Sequence, residues 1–316
     1  MPTLVQLKYI LAVSELKSFN KAARYCNVSQ PSLSTQVRKV EQELEIKIFD
    51  RNTKPIMPTK NGNKVIQQAR NILLENKKLL NIRQDKGEIS GDFHLSCIHS
   101  LAPYIVPLFI SSFSTKYPKV NLKISELKTD EILERLLDNK IDAGLLVTPL
   151  LNKKIEEHKI FYEKFYVFTS ANHVLYDKKN VSYKDLKSKS IWLLEEGHCL
   201  RNQVLNLCSM NKDYKVFKNI IFDSENLETL INLIRNGDGF TLLPELATFG
   251  LSDYEKKKFL KKILDPAPYR EVSLINSLNY AKNRIISALK KEIYENLPSK
   301  VKFNYQNNQN LNIINI

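Results

Sequence analysis

The chain has 316 residues, of which 43% are hydrophobic, and a formal net charge of +14 with a pI near 9.4. This length accommodates two or three domains, and the excess of basic residues favours an anionic partner such as nucleic acid. Four cysteines are too few for a secreted disulfide scaffold, no apolar run reaches the roughly 18 residues that span a bilayer, and the N-terminus lacks a signal-peptide pattern. We therefore expect a cytoplasmic protein without a membrane segment, whose thiols are reduced by default.

The basic charge is concentrated near the N-terminus. Residues 1–90 contain sixteen Lys or Arg against eight Asp or Glu, so they carry +8 of the net charge. Apolar residues recur at helical spacing between Leu4 and Leu16, and Ser18 and Ser29 are suitable N-caps for two further helices. The pattern predicts a small helical domain that meets the polyanion.

The third helix, about Gln30 to Leu44, is amphipathic. An apolar stripe marks its inward face and comprises Leu33, Val37, Val40 and Leu44. The opposite face carries hydrogen-bonding groups suited to base edges and phosphates, namely Gln30, Ser32, Ser34, Thr35 and Arg38. The basic, proline-bounded segment 49–59 is predicted to form a β-wing. The alternative to a DNA-binding domain is an ordinary small helical domain with a polar exposed face.

The residues of this segment resemble the winged helix-turn-helix of LysR-type transcriptional regulators. The resemblance rests on Ala22-Ala23, on Val28-Ser29-Gln30-Pro31-Ser32-Leu33-Ser34, and on Val40-Glu41 with Leu44. It implies that Gln30, Ser32, Ser34 and Arg38 face double-stranded DNA and that Arg51 binds phosphate.

A long helix is expected from Asn61 to about Asp85, followed by a hinge at Gly87 and Ser90-Gly91. Two rows of residues at heptad-like spacing form its seam, and all are apolar except Asn76. The first row is Val65, Ala69, Ile72, Asn76 and Leu79, and the second is Ile66, Leu73 and Leu80. The seam favours pairing with a second copy, which agrees with the family's use of this helix for dimerisation. The alternative is that the helix packs on its own domain.

Beyond residue 91, apolar runs alternate with helical patterns, which predicts an α/β architecture. The strand candidates are 94–99, 121–127, 142–147, 165–169, 191–194 and 239–243. The helix candidates are 104–117, 130–139, 200–210 and 226–236.

The stretch Gly237–Pro244 resembles the GxGxxxLP element of LysR effector domains. That resemblance implies a periplasmic-binding-protein-like domain of two α/β lobes, with crossovers near Phe161–Glu163 and Pro268–Val272. The expected organisation is a DNA-binding domain at 1–58, a linker and hinge at 59–90 and a regulatory domain at 91–298. Lobe I then comprises 92–162 and 269–298, and lobe II comprises 163–268. The asparagine-rich tail, 299–316, is expected to be disordered.

Two cysteines nine positions apart, Cys199 and Cys208, stand out in the regulatory domain. Cys199 lies at a strand-to-helix junction between His198 and Arg201. A helix N-terminus and a nearby cation both lower a thiol pKa, and the thiolate is the form that attacks peroxide. If 199–208 is helical, the Cα atoms are roughly 13 Å apart, too far for a disulfide without refolding. The alternative is two unrelated buried cysteines.

The stretch Leu194-Glu195-Glu196-Gly197-His198-Cys199-Leu200-Arg201, with Gln203 and Cys208, resembles the hydrogen-peroxide-sensing OxyR branch of the LysR family. The resemblance covers the chain up to the tail. It implies that Cys199 is the peroxidatic thiol and that Cys208 forms an intramolecular disulfide with it. Support for the peroxide site is then assigned to Ser100, Thr129, His198, Arg201 and Arg270. Ser100 stands where the family usually has threonine, and Ala102 where it usually has glycine.

The resemblance further implies a homotetrameric activator of the oxidative-stress response, built as a dimer of dimers. Its partners would be RNA polymerase, hydrogen peroxide and a thiol reductant such as glutaredoxin or thioredoxin. Two alternatives are a LysR regulator with a small-molecule effector in the interlobe cleft, and a thiol peroxidase. We expect no cofactor and no enzymatic turnover. Because the five histidines lack paired ligand spacing, the sequence also predicts no metal site.

Overall fold

The computed structural model describes residues 1–81, 88–187, 190–208, 224–278, 283–306 and 311–314. The chain divides into two compact units, Met1–Glu88 and Ile89–Ile316. Across the described ranges, no helix combines the length and apolar character needed to cross a membrane.

The first unit begins with three short helices, α1 (Leu4–Leu16), α2 (Phe19–Tyr25) and α3 (Gln30–Glu43). Each is capped at its N-terminus by a hydroxyl that accepts a backbone N–H: Thr3 from Gln6, Ser18 from Lys21 and Ser29 from Ser32. The buried stripe of α3 consists of Leu33, Val37 and Val40. Leu44 departs from the prediction because α3 ends at Glu43, which leaves Leu44 37% exposed.

Two short strands and a long helix complete this unit. β1 (Phe49–Asp50) and β2 (Met57–Pro58) pair antiparallel, as expected of a wing. α4 (Lys60–Asn81) buries Ile66 and Ala69 in the core of its own unit, whereas Ile72 and Leu79 on it are exposed. One part of the predicted seam therefore packs on its own domain, and another part is exposed. Residues 82–85 of the predicted helix and Gly87 lie outside the described residues.

The second unit contains a nine-stranded mixed sheet flanked by helices. Its strands are β3 (Gly91–Cys97), β4 (Val120–Glu126), β5 (Ala143–Thr148), β6 (Ile155–Thr169), β7 (Asn180–Val181), β8 (Phe240–Pro244), β9 (Leu260–Ile263), β10 (Pro268–Ser277) and β11 (Asn312–Ile313). Its helices are α5 (Ala102–Lys116), α6 (Thr129–Leu137), α7 (Cys199–Cys208), α8 (Leu227–Asn236), α9 (Asp253–Lys258), α10 (Asn283–Glu295) and α11 (Ser299–Gln306). The order β4-β3-β5-β10-β6-β9-β7 is extended by β11 beside β10 and by β8 beside β6.

Two long strands connect two lobes, and this confirms the predicted fold class. β6 pairs with β10 as far as Lys164 and then, from Phe165, with β8 and β9. β3, β4 and β5 are parallel and belong to the first lobe together with β10. Each lobe has its own apolar core: one contains Phe93, Phe109 and Leu145, and the other Phe168, Ile231 and Leu242.

Two sequence expectations for this unit are wrong. The predicted strand 191–194 is reduced to a single bridge between Ile191 and Phe240, after which the chain turns toward α7. The tail was expected to be disordered, but α11 forms at Ser299–Gln306 and β11 pairs in parallel with β10 at Pro268 and Tyr269. Val301 of α11 is fully buried, so docking of an apolar side chain explains part of this order.

Candidate functional site

The helix α7 begins at Cys199, close to the beginnings of α5 and α6. Ser100 lies in the turn before α5, and Thr129 is the first residue of α6. These two hydroxyls follow β3 and β4, which are parallel neighbours, so the sheet brings their carboxyl ends to the same edge. In α/β folds this edge is the usual position of a binding site.

The turn into α7 depends on a glycine. Gly197 has φ +90°, and a Cβ at this position would lie 3.1 Å from Cδ of Lys128. The carbonyl of His198 then accepts the N–H of Arg201 at 3.0 Å. The Arg201 guanidinium donates from Nη1 to the carbonyl of Leu194 at 2.8 Å. Arg201 therefore fastens the turn that presents Cys199.

Cys199 is only 4% exposed, and burial raises the pKa of its thiol. Several groups oppose that rise, and Arg270 has the largest effect, followed by the Thr129 hydroxyl and the N–H of Leu200. The sequence predicted a lowered pKa, with Arg201 and His198 among the causes. Burial outweighs the helix N-terminus here, and the cation that favours the thiolate is Arg270 from β10.

Arg270 is fully buried and is held by three acceptors. Nε donates to Oε1 of Glu163 at 2.8 Å, Nη1 to the Ser100 hydroxyl at 3.0 Å and Nη2 to the Ser100 carbonyl at 3.2 Å. The other Glu163 oxygen accepts the N–H of Leu246 at 2.9 Å. Burial raises the pKa of Glu163, and Arg270 counteracts this rise. Ser100 thus supports the site by positioning Arg270.

Four buried side-chain atoms among the described residues have no hydrogen-bond partner: His99 Nδ1, Thr129 Oγ1, His198 Nε2 and Gln203 Oε1. All belong to neighbours of Cys199 in sequence or in space. The His99 and His198 rings pack edge to face, with centroids 5.3 Å apart. The Thr129 hydroxyl helps to lower the Cys199 pKa, although it makes no hydrogen bond of regular geometry. Unpartnered polar atoms in a buried site are suited to a small polar ligand.

The structure does not bring Cys208 to Cys199. Both thiols are free, and one helix of ten residues separates them by about 13 Å between Cα atoms. Cys199 belongs to the core of the first lobe and Cys208 to the core of the second. Burial raises the pKa of Cys208 to about 12. A bond between the two sulfurs therefore requires α7 to leave its present packing.

A third thiol lies in the same core as Cys199. Cys97 ends β3, is fully buried and directs its sulfur toward the carbonyl of Ile98 at 3.6 Å. Burial raises its pKa, and no described contact shows a role in the site beyond packing.

The predicted DNA-contacting face of α3 is largely exposed. Gln30, Ser32 and Arg38 are accessible, and Ser34 is half-buried. Arg51 is engaged within the unit: it donates to the Ser34 hydroxyl at 2.9 Å and to Glu41 at 3.0 Å. It also lies 4.8 Å from the centre of the Phe19 ring. Arg51 connects the wing to α3 in addition to any contact with phosphate.

Sequence reasoning missed two groups of this region. Glu163, the partner of Arg270, was indicated in the sequence only as a carboxylate that directly follows the apolar run Ile160–Tyr162. Lys128 forms a close ion pair with Glu195 and lies 3.2 Å from Glu225. No spacing along the chain connects these last three residues, because they come from separate segments.

Comparison with known proteins agrees with this fold. Residues 4–63 match the bacterial regulatory helix-turn-helix protein, lysR family, and residues 86–276 match the LysR substrate binding domain. The chain is 32% identical over 292 residues to the hydrogen peroxide-inducible genes activator of Haemophilus influenzae, covering 91% of this chain and 96% of that protein. It is 32% identical over 270 residues to the DNA-binding transcriptional dual regulator OxyR of Escherichia coli K12, covering 85% and 87%.

Solved structures give the same result. A full-length OxyR variant from Pseudomonas aeruginosa superposes with a TM-score of 0.80 at 28% identity, covering 93% of this chain and 98% of that one. The two domain matches account for most of the chain, and the relatives align over nearly their whole length. The chain therefore belongs to the LysR family of bacterial transcriptional regulators.

Proposed function

We propose that this regulator responds to hydrogen peroxide through oxidation of Cys199. The observation that carries the proposal is the environment of this thiol, which faces a buried arginine and a threonine hydroxyl. Around it lie buried polar atoms without partners, enough to accept the two oxygens of a peroxide. The name of the relative from Haemophilus influenzae, hydrogen peroxide-inducible genes activator, supports the same response.

In the first step the Cys199 thiolate attacks one oxygen of the peroxide. The S–O bond forms as the O–O bond breaks, sulfur is oxidised to sulfenic acid, and the departing oxygen leaves as water after taking up a proton. Arg270 stabilises the thiolate, and the Thr129 hydroxyl is placed to donate to the leaving oxygen. Ser100 holds Arg270 in position.

In the second step the Cys208 thiol condenses with the sulfenic acid, forming the Cys199–Cys208 disulfide and releasing water. Because the two sulfurs lie in the cores of different lobes, this step withdraws at least one of them from its core. The oxidised chain then cannot return to the reduced packing until a dithiol reductant such as glutaredoxin or thioredoxin supplies two electrons. α7 is thus the bistable element of the switch.

The change in the regulatory unit alters how the chains assemble on DNA. Gln30, Ser32, Ser34 and Arg38 form the face that enters the major groove. The exposed residues Ile72 and Leu79 of α4 supply the apolar contact with a second copy. We place the protein in the cytoplasm as a homotetramer that recruits RNA polymerase when oxidised.

The test is peptide mass mapping after peroxide treatment, combined with DNA footprinting. We expect a disulfide between Cys199 and Cys208 and a footprint that changes on oxidation. Cys199→Ser should lose both, and Cys97→Ala should keep both. A peroxide-dependent footprint that persists in Cys199→Ser would refute the proposal.

A small-molecule effector is less well supported, because two of the cations at the lobe junction are already paired with buried carboxylates. Arg270 pairs with Glu163 at 2.7 Å, and Lys300 pairs with Glu245 at 2.7 Å. A metabolite would have to compete with these pairs, whereas peroxide has only two oxygens to accommodate. Turnover separates the thiol peroxidase alternative, since sustained, reductant-dependent consumption of peroxide over many cycles is expected of a peroxidase and not of a regulator.

A further inference from the structure

A second cluster of functional groups lies beside the cysteine site. The carboxylates of Glu195 and Glu225 and the imidazole of His198 place one ligand atom each within 4.8 Å of the other two. Within the part of the chain that the structure describes, this is the one group of three potential metal ligands that converges in this way. A backbone hydrogen bond from the Glu195 N–H to the Ser224 carbonyl, 2.9 Å long, holds the two segments together.

The imidazole in this cluster is buried and unpartnered. His198 is only 5% exposed, and its Nε2 has no hydrogen-bond partner. Leaving such a nitrogen without a partner costs free energy, and one of the two ring nitrogens of His198 is among the three converging ligand atoms. The ring of His99, with a buried unpartnered Nδ1, packs against His198 and offers a second imidazole nearby.

Lys128 is the cation that now occupies this position. Its ammonium group forms a close ion pair with Glu195 and lies 3.2 Å from Glu225. The two carboxylates thus already converge on one positive charge, and a divalent ion would replace the ammonium. Ligand atoms around a tetrahedral Zn²⁺ lie about 3.3 Å apart, so the side chains need to close by roughly 1.5 Å. Glu195 and Glu225 are 25% and 54% exposed, which leaves them room to rotate.

We propose that Glu195, His198 and Glu225 form a binding site for a first-row divalent metal ion such as Zn²⁺, beside the sensing cysteine. One imidazole and two carboxylates suit zinc and similar ions and leave coordination positions open for His99 or water. The site departs from the expectation of no metal, because its ligands come from two segments that are about thirty residues apart.

A bound ion would also restrain the switch. Glu195 and His198 belong to the turn that begins α7, so fixing them hinders the rearrangement of this helix. This consequence rests on the proposed function. It predicts that the metal slows formation of the Cys199–Cys208 disulfide.

Binding is tested by titrating Zn²⁺ into the full-length Cys199→Ser/Cys208→Ser protein, which removes the two thiols of α7 as competing ligands, with calorimetry as the readout. We expect one ion per chain. Glu225→Gln should weaken binding at least tenfold, and Lys128→Met should strengthen it about tenfold because the competing ammonium is gone. Glu196→Gln, an exposed neighbour with the same change of charge, should bind like the parent. No stoichiometric binding, or equal binding by the Glu225 and Glu196 variants, would overturn the site.

The restraint is tested in the chain with native cysteines by following disulfide formation after peroxide addition, with Zn²⁺ and with EDTA. Zn²⁺ should slow the reaction at least tenfold in the native protein and have little effect in Glu225→Gln. An equal rate with and without Zn²⁺ would overturn the restraint and leave the binding site standing. Absence of a disulfide even in EDTA would instead refute the proposed function and the restraint, and the calorimetric result would be unaffected.

Discussion

Cys199 shows how a single residue depends on groups that are distant in sequence. Its thiol is buried, which raises its pKa, and Arg270, Thr129 and the N–H of Leu200 partly reverse the rise. The neighbouring cation, Arg201, binds the carbonyl of Leu194 and so acts on the backbone. At this scale, reactivity depends on which side chains face the sulfur.

Thr129 provides the clearest test at the residue scale. Thr129→Val keeps the shape and removes the hydroxyl, so oxidation of Cys199 by peroxide should slow by roughly a hundredfold. Thr129→Ser keeps the hydroxyl and should retain most of the rate. The measurement is stopped-flow loss of the Cys199 thiol in a Cys208→Ala background. Equal rates for the valine variant and the parent would exclude the donor role.

Two arginines of the DNA-binding unit, Arg38 and Arg51, should behave differently. Arg38 is exposed, whereas Arg51 donates to Ser34 and Glu41. Arg38→Gln should lower the slope of log affinity against log salt by about one and leave the melting temperature unchanged. Arg51→Gln should lower both the melting temperature of the protein and its affinity for DNA, because it disconnects the wing from α3. Identical melting temperatures for the two variants would contradict this division.

At the scale of elements, α7 packs against both lobes of the regulatory unit. Its first residue packs in one lobe and its last in the other, so the helix bridges the two cores. Ile314, directly after β11, adds a further connection because its side chain packs against the second core. Its carbonyl lies 3.5 Å from Nε2 of Gln203 in α7, and its N–H donates to the carbonyl of Tyr269. The C-terminal segment therefore contacts α7, the helix proposed to rearrange on oxidation.

Removal of this strand should loosen the helix. A chain that ends at residue 310 loses the β10–β11 pairing and the half-buried Ile314, at a cost of about 1–2 kcal/mol in the free energy of unfolding. We expect the disulfide to form several times faster on peroxide treatment. Asn312→Ala, which keeps the strand, serves as the control. Unchanged stability and oxidation rate in the truncated chain would show that the strand does not contact the switch in solution.

For the whole molecule, the two lobes are joined by β6 and β10, and a buried ion pair connects these strands. Glu163 lies on β6 and Arg270 on β10, and neither is exposed. The same arginine that tunes Cys199 thus connects the two crossover strands. The proposed function therefore predicts that the stability of the interlobe junction and the sensitivity to peroxide both depend on this one side chain.

A double-mutant cycle separates these roles. Arg270→Met leaves Glu163 buried without its partner and should destabilise the protein by about 3–5 kcal/mol. Glu163→Gln combined with Arg270→Met removes both charges and should recover much of that loss. The rate of Cys199 oxidation should remain low in both, because neither variant has the guanidinium. Urea denaturation and thiol-oxidation kinetics give the two readouts, and recovery of the rate in the double variant would argue against a direct role for Arg270.

The sequence by itself determined the family and the fold class, and it named most residues of the candidate site but not Glu163 or Lys128. Local patterns sufficed for α3, with its cap and most of its buried stripe, and for the helix that begins at Cys199, because periodicity and capping act over a few residues. The resemblance to the OxyR branch assigned Ser100, Thr129 and Arg270 to the site, and the sheet places these residues in the same region as Cys199.

Only the tertiary structure decided how these residues act on one another. Burial, which is set by the packing of both lobes, raised the Cys199 pKa against the local helix dipole. Pairing across β6 and β10 selected Arg270 as the relevant cation, and docking on β10 ordered a tail whose composition predicted disorder. The convergence of Glu195, His198 and Glu225 likewise depends on contacts between segments. Spacing along the chain reports neither burial nor such contacts, since both arise from elements distant in sequence.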